Sequence, residues 1–159
     1  VSGAFDGAGT GWFAFEIGVS RDASQVSVPS YSGMFVYDYD GAFNFRQKIG
    51  VYARTLPIGV VYSPTTDIMY TAWNGTDHGI HAYSTASLIR IETIDSNVSV
   101  GWVGNHAFGQ GRLRISADDS VLLATVNGGV NAYAVPEPAT MLLLTVAAPF
   151  MLRRKRRQA

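Results

Sequence analysis

The sequence predicts an all-β fold that ends in a short hydrophobic helix, and three observations carry that prediction. Residues 1–134 break into short runs rich in Val, Ile, Tyr, Thr and Phe, bounded by Gly, Asn, Asp and Ser, without a sustained 3.6-residue period. One strand–turn–strand pattern recurs three times within that stretch. After residue 134 the chain changes character, to an uncharged apolar segment closed by a basic cluster.

The first copy covers about residues 17–49. Val19-Ser20-Arg21-Asp22 leads to Val26-Ser27-Val28, then Gly33-Met34-Phe35-Val36-Tyr37, and Asp40-Gly41 precedes a further strand candidate, Ala42 to Arg46. The middle copy covers about 58–94. Its turn is Ser63-Pro64-Thr65-Thr66-Asp67, its strands are Ile68 to Trp73 and Gly79 to Tyr83, and Leu88 to Ile94 follows. The last copy covers about 111–134, with Ser116-Ala117-Asp118-Asp119-Ser120, Val121 to Val126 and Gly129 to Tyr133. The Ser- and Asp-rich phrases are turn chemistry, because short polar side chains bond back to the backbone. Asn74-Gly75 and Asn127-Gly128 tolerate positive φ and read as hairpin turns. Ile68 to Trp73 and Val121 to Val126 are nearly all apolar, so both are expected to be covered on both faces. In the next strand Ile80/Ala82, Val130/Ala132 and Met34/Val36 share one face, and His81/Tyr83, Asn131/Tyr133 and Phe35/Tyr37 share the other.

Short strands repeating about every 40–50 residues are the pattern of β-propeller blades. The expectation is a partial β-propeller, about three blades of a larger ring, with an open β-sandwich as the rival. Ser63-Pro64-Thr65-Thr66-Asp67-Ile68-Met69-Tyr70 and Val36-Tyr37-Asp38-Tyr39-Asp40-Gly41-Ala42-Phe43 resemble the blades of YVTN- and NHL-type propellers. Three blades do not close a ring of four to eight. Either preceding sequence supplies the others or copies of the chain assemble to close it. Val1 is no initiator methionine, and Gly3, Gly7, Gly9 and Gly11 interrupt any signal-peptide core, so a truncated N-terminus is expected.

Residues 135–159 form a second object. Val135, Pro136, Glu137, Pro138 and Ala139 make a rigid extended spacer. Met141, Leu142, Leu143, Leu144, Val146 and Leu152 dominate an apolar segment that holds Pro149, and Arg153, Arg154, Lys155, Arg156 and Arg157 end it. The formal net charge of zero is therefore a cancellation, between a tail of +4 and a body of −4. At about 1.5 Å per residue, the uncharged stretch 139–152 falls short of the roughly 30 Å hydrocarbon core, so arginine snorkelling has to bridge the difference. The positive-inside rule puts the basic run in the cytoplasm and the body outside.

The order Pro-Glu-Pro, apolar segment, basic cluster resembles the PEP-CTERM sorting signal. That resemblance implies recognition by an exosortase-type processing enzyme at a bacterial inner membrane. The tail would anchor the protein there transiently, before delivery to the cell surface or the extracellular space.

Composition and motifs narrow the chemistry. A chain without cysteine has no disulfide scaffold, thiol catalyst or cysteine-held zinc. His78 and His81 stand three apart on a strand, pointing to opposite faces, which suits chelation poorly. His106 has no neighbouring acid. Asp38-Tyr39-Asp40-Gly41 begins like a calcium loop but has Phe43 and Ile49 where glycine and glutamate are needed, so it reads as a turn. No serine-hydrolase, phosphate-loop or zinc-helix motif occurs. Trp73, Tyr83, Trp102 and Tyr133 either line a carbohydrate- or peptide-binding face or pack between sheets. A basic run without aromatic or groove-reading partners is no nucleic-acid signature. No catalytic residue, metal ligand or cofactor is assigned. The expected function is a non-enzymatic exported scaffold that binds extracellular polysaccharide or protein. The alternative is a secreted propeller hydrolase or lyase acting on polysaccharide or peptide.

Overall fold

The computed structural model describes residues 16–30, 33–50, 55–98, 112–126 and 129–135. They form three antiparallel sheets and no helix. The first sheet holds β1 (Gly18–Val19), β2 (Gln25–Ser30), β3 (Gly33–Tyr39) and β4 (Phe43–Ile49). The second holds β5 (Thr55–Tyr62), β6 (Ile68–Gly75), β7 (Gly79–Ser84) and β8 (Arg90–Asp95). The third holds β9 (Leu113–Ile115), β10 (Val121–Val126) and β11 (Gly129–Ala134). Neighbours in sequence are neighbours in each sheet, so every connection is a hairpin-like return. The helix expected in the tail lies outside the described residues.

The sheets stack face to face in chain order, and side-chain alternation lets the middle sheet present one apolar face to each neighbour. Met34 and Val36 of the first sheet meet Val60, Tyr62, Met69, Trp73 and Tyr83 of the second in one core. Ile58, Tyr70, Ala72, Ile80 and Ala82 of the second meet Leu113, Leu122 and Ala124 of the third in the other. The middle sheet is thus buried on both sides, and Ile68 to Trp73 is covered as its apolar sequence predicts. Within β5 the register breaks between Pro57 and Gly59. That break turns Ile58 to one core and Val60 to the other, although a regular strand would put residues two apart on the same face.

Two prolines sit within strands, at places where proline is tolerated. Pro57 lies on edge strand β5, and Pro29 lies on β2 beyond the two residue pairs made by the short β1.

The third sheet corrects one expectation. Val121 to Val126 buries only Leu122 and Ala124 fully, while Val121 and Leu123 are 37% and 41% exposed. The physical reason is stacking order. Leu122 and Ala124 face the second sheet, and no described sheet covers the opposite face.

Candidate functional site

Three polar turns line up at one end of the stack. In the first, Asp22 accepts bonds from the Ser20 and Ser24 hydroxyls (2.7 and 2.8 Å) and from the Ser24 backbone N–H (3.0 Å). In the third, Asp118 accepts from the Ser120 N–H (3.1 Å) and hydroxyl (2.8 Å). The middle turn does the same work with hydroxyls, the Ser63 Oγ accepting from the N–H groups of Thr65 (3.1 Å) and Thr66 (2.7 Å). These bonds favour the charged form. The Ser20 hydroxyl first, then Ser24, hold Asp22 at about 2; the Ser116 and Ser120 hydroxyls do the same for Asp118.

The turns are also tied to one another. Arg21 donates to the Thr65 carbonyl (2.7 Å) and to Asp67 (3.1 Å). From the other side, Ser63 and Thr65 both donate to Asp119 Oδ2. Asp119 is buried and adopts a left-handed φ of 62°, which an aspartate tolerates better than most residues. Its Oδ1 has no partner among the described residues, nor has Oε1 of the buried Gln25 nearby, whose Nε2 donates to the Thr85 carbonyl (3.0 Å). The Gln25 amide, Ser20, Ser63 and Thr85 line a small polar cleft between the first and second turns.

The first strands, which lead into these turns, also approach one another: β5 lies against both β1 and β9. Glu16, just before β1, takes part in both neighbouring sheets. Its Oε2 accepts from the Val60 N–H (3.1 Å) and its Oε1 from Arg114 Nη1 (2.9 Å). Burial raises the Glu16 pKa against the opposing pull of those bonds. The approach is close enough that a Cβ on Gly59 would stand 2.8 Å from the Arg112 Cβ. Sequence reasoning passed over Glu16. The available signal was a lone acid within the apolar run Trp12 to Ile17.

His81, by contrast, is fully buried. Nε2 reaches the Asp77 carbonyl (3.3 Å) and Nδ1 the Thr93 hydroxyl (3.2 Å), a network that fits a neutral ring donating from Nε2. Arg90 Nη1 stands beside the ring and bonds Asp77 Oδ1 at 3.0 Å. Burial, with the Arg90 charge, lowers the His81 pKa despite Asp77. His78 is bonded to the Gly75 carbonyl at 3.2 Å. The two histidines converge on no common point, and the described residues contain no group of three or more metal-ligating side chains. Asp40 accepts from the Ala42 N–H (3.3 Å) and Asn44 (3.1 Å), the geometry of a turn.

The aromatic candidates divide. Trp73 and Tyr83 are core, their ring centroids 6.5 Å apart, with Trp73 Nε1 donating to Thr71 Oγ1 at 2.6 Å. Tyr133 is half-buried and donates to Asp95 at 3.0 Å. Trp102 and His106 lie outside the described residues. So do Pro136, Glu137, Pro138 and Ala139, the apolar residues from Met141 to Leu152, and Arg153 to Arg157. Val135 is the last described residue, its N–H donating to the Ser120 carbonyl at 3.0 Å. No helix among the described residues is long and apolar enough to cross a membrane.

Residues 134–157 match the PEP-CTERM protein-sorting motif. The motif implies an exported protein processed by an exosortase, held before processing by a membrane-anchored C-terminal tail. A comparison with curated proteins gives no match. Among solved structures, the chain is similar to a candidate 6-phosphogluconolactonase from Bacteroides uniformis, at 15% identity and a TM-score of 0.55, over 76% of this chain and 36% of that one. It also aligns with Hsv2 from Kluyveromyces lactis at 9% identity and a TM-score of 0.49, over 79% of this chain and 33% of that one. The first likeness concerns the fold alone, and the second is too slight to carry an argument. The chain spans about a third of the length of these structures.

Proposed function

We propose that this chain belongs to an exported bacterial cell-surface or matrix protein, a non-enzymatic β-propeller scaffold delivered by its PEP-CTERM tail. The observation that carries the sorting half is the motif match at 134–157. Its parts have separate physical jobs: a proline-stiffened spacer for the processing enzyme, an apolar segment for the bilayer, and five cations that stay on the cytoplasmic side.

The propeller half is supported by three sheets stacked in chain order with their first strands together at one edge. The fold likeness to the B. uniformis structure is consistent with it. In this reading the sheets are blades of a ring larger than three. The tied turns at 20–24, 63–67 and 116–120 form a rigid rim that presents loops to extracellular polysaccharide or protein. A hydrolase or lyase reading would draw on Glu16, the half-buried acid at the strand convergence. Both of its carboxylate oxygens are committed to Val60 and Arg114, which fits a structural tie better than a proton donor.

The test is fractionation in an exosortase-bearing host. The full chain is expected in the membrane fraction and then as a shorter, released form. The chain lacking 136–159 is expected to bypass both stages, and unchanged fractionation and processing would refute the sorting role.

A further inference from the structure

The hairpin that joins β6 to β7 holds a reactive pair in an uncommon posture. Asn74 and Gly75 close β6, the first half-buried and the second exposed. Gly75 has a φ of 98°, which glycine adopts at little cost. Its N–H donates to Oδ1 of the preceding Asn74 at 2.9 Å. An Asn or Asp side chain in a turn ordinarily bonds an N–H two residues on, as Asp22 does with Ser24, Asp95 with Asn97 and Asp118 with Ser120. Asn74 instead folds its carboxamide back over its own C-terminal peptide bond.

That posture has a chemical consequence. The Gly75 nitrogen and the carbonyl carbon, Cα, Cβ and Cγ of Asn74 are the atoms of a five-membered succinimide ring. The contact with Oδ1 holds the Gly75 nitrogen against the carboxamide whose carbon it would attack, and glycine adds no side chain to hinder the approach.

We propose that Asn74 and Gly75 form a self-modification site, where Asn74 is converted to aspartate and isoaspartate by its neighbour's amide and water. The Gly75 amide gives its proton to a solvent base, and its nitrogen forms a bond to Cγ. The Cγ–Nδ2 bond then breaks, and Nδ2 takes up a proton and leaves as ammonia. Water opens the ring at either carbonyl. Attack at Cγ restores the main chain and leaves aspartate. Attack at the Asn74 main-chain carbonyl leaves isoaspartate, with the chain running through Cβ and Cγ and one methylene longer. No oxidant, reductant or enzyme is required.

The position gives the change a structural effect. Asn74 pairs with Leu56 and Gly75 with Thr55, the end rungs between β5 and β6. Just beyond, Asp77 bonds Arg90 at 3.0 Å, and its carbonyl receives the His81 ring at 3.3 Å. A longer main chain at residue 74 shifts the register of those rungs and loosens the hairpin. The inference uses local geometry alone and stands apart from the sorting and scaffold readings.

The test ages the full chain in detergent micelles, with peptide mapping by mass and labelling by an isoaspartyl methyltransferase. Ammonia loss at Asn74 is expected at least about tenfold faster than at Asn44 and Asn97, which precede the bulkier Phe45 and Val98. It should speed up with rising pH and yield both products. A synthetic peptide of residues 71–79 is the flexible reference, and the folded chain should at least match its rate. Slower conversion in the folded chain would show that the fold protects Asn74 and would overturn the proposal. So would a rate no higher than at Asn44, or aspartate as the sole product, the mark of direct hydrolysis by water. Asn74→Gln closes the larger ring far more slowly, so it should keep its hydrogen-exchange protection at Thr55 and Gly75 while the unaltered chain loses it. An equal loss in both chains would overturn the structural effect.

Discussion

His81 shows how a single side chain is governed by what packs around it. Its folded pKa lies below the usual 6.5, chiefly through burial, so the unfolded chain takes up the proton first. Its contribution to stability is therefore complete above about pH 6.5 and declines as the pH falls from there toward the folded value. The urea midpoint should drop across that window, and His81→Gln should flatten the drop. Asp119 is the comparable acid at the rim. Asp119→Ala removes the acceptor for Ser63 and Thr65 and should cost about 1–3 kcal/mol in denaturant melts, whereas Asp119→Asn keeps an acceptor and should cost less. The alternation of its strand put His81 on the face of Tyr83, and its burial came from the neighbouring sheet. Glu16 was not legible, since its partners Val60 and Arg114 stand 44 and 98 residues away in sequence.

Among the elements, the strand-opening glycines make the clearest comparison. Gly79→Ala would drive a methyl group into the Asp95 carbonyl and impose a φ of +131° on an L-residue, so a loss of at least about 2 kcal/mol is expected. Gly129→Ala should change stability by no more than about 0.5 kcal/mol. Thermal melts of the two variants side by side check both expectations. Most described strands were readable from alternation and turn chemistry: β6, β7, β10 and β11 coincide closely with apolar runs bounded by Ser, Asp, Asn and Gly. β5 was harder, because Pro57 and Gly59 interrupt its pattern and the register break between them reverses which face its side chains take. The open side of β10 was illegible for a different reason. An apolar run records a tendency to be covered, and only the neighbouring sheet decides whether it is.

For the whole molecule, charge separates the body from the tail. Replacing Arg153, Arg154, Lys155, Arg156 and Arg157 together by serine tests the cytoplasmic stop proposed for the tail. The protein is then expected to leave the membrane fraction without exosortase-dependent shortening, as read by fractionation with and without the enzyme. The sequence by itself determined the all-β character, most of the hairpins and the sorting tail, because each rests on local patterns: a period of two, turn residues, and the order of proline, apolar and basic segments. The stacking order and the Glu16 and Asp119 ties between sheets were decided only by tertiary structure. They depend on which surfaces, distant along the chain, come within a few ångströms of one another, and no short window of residues encodes that.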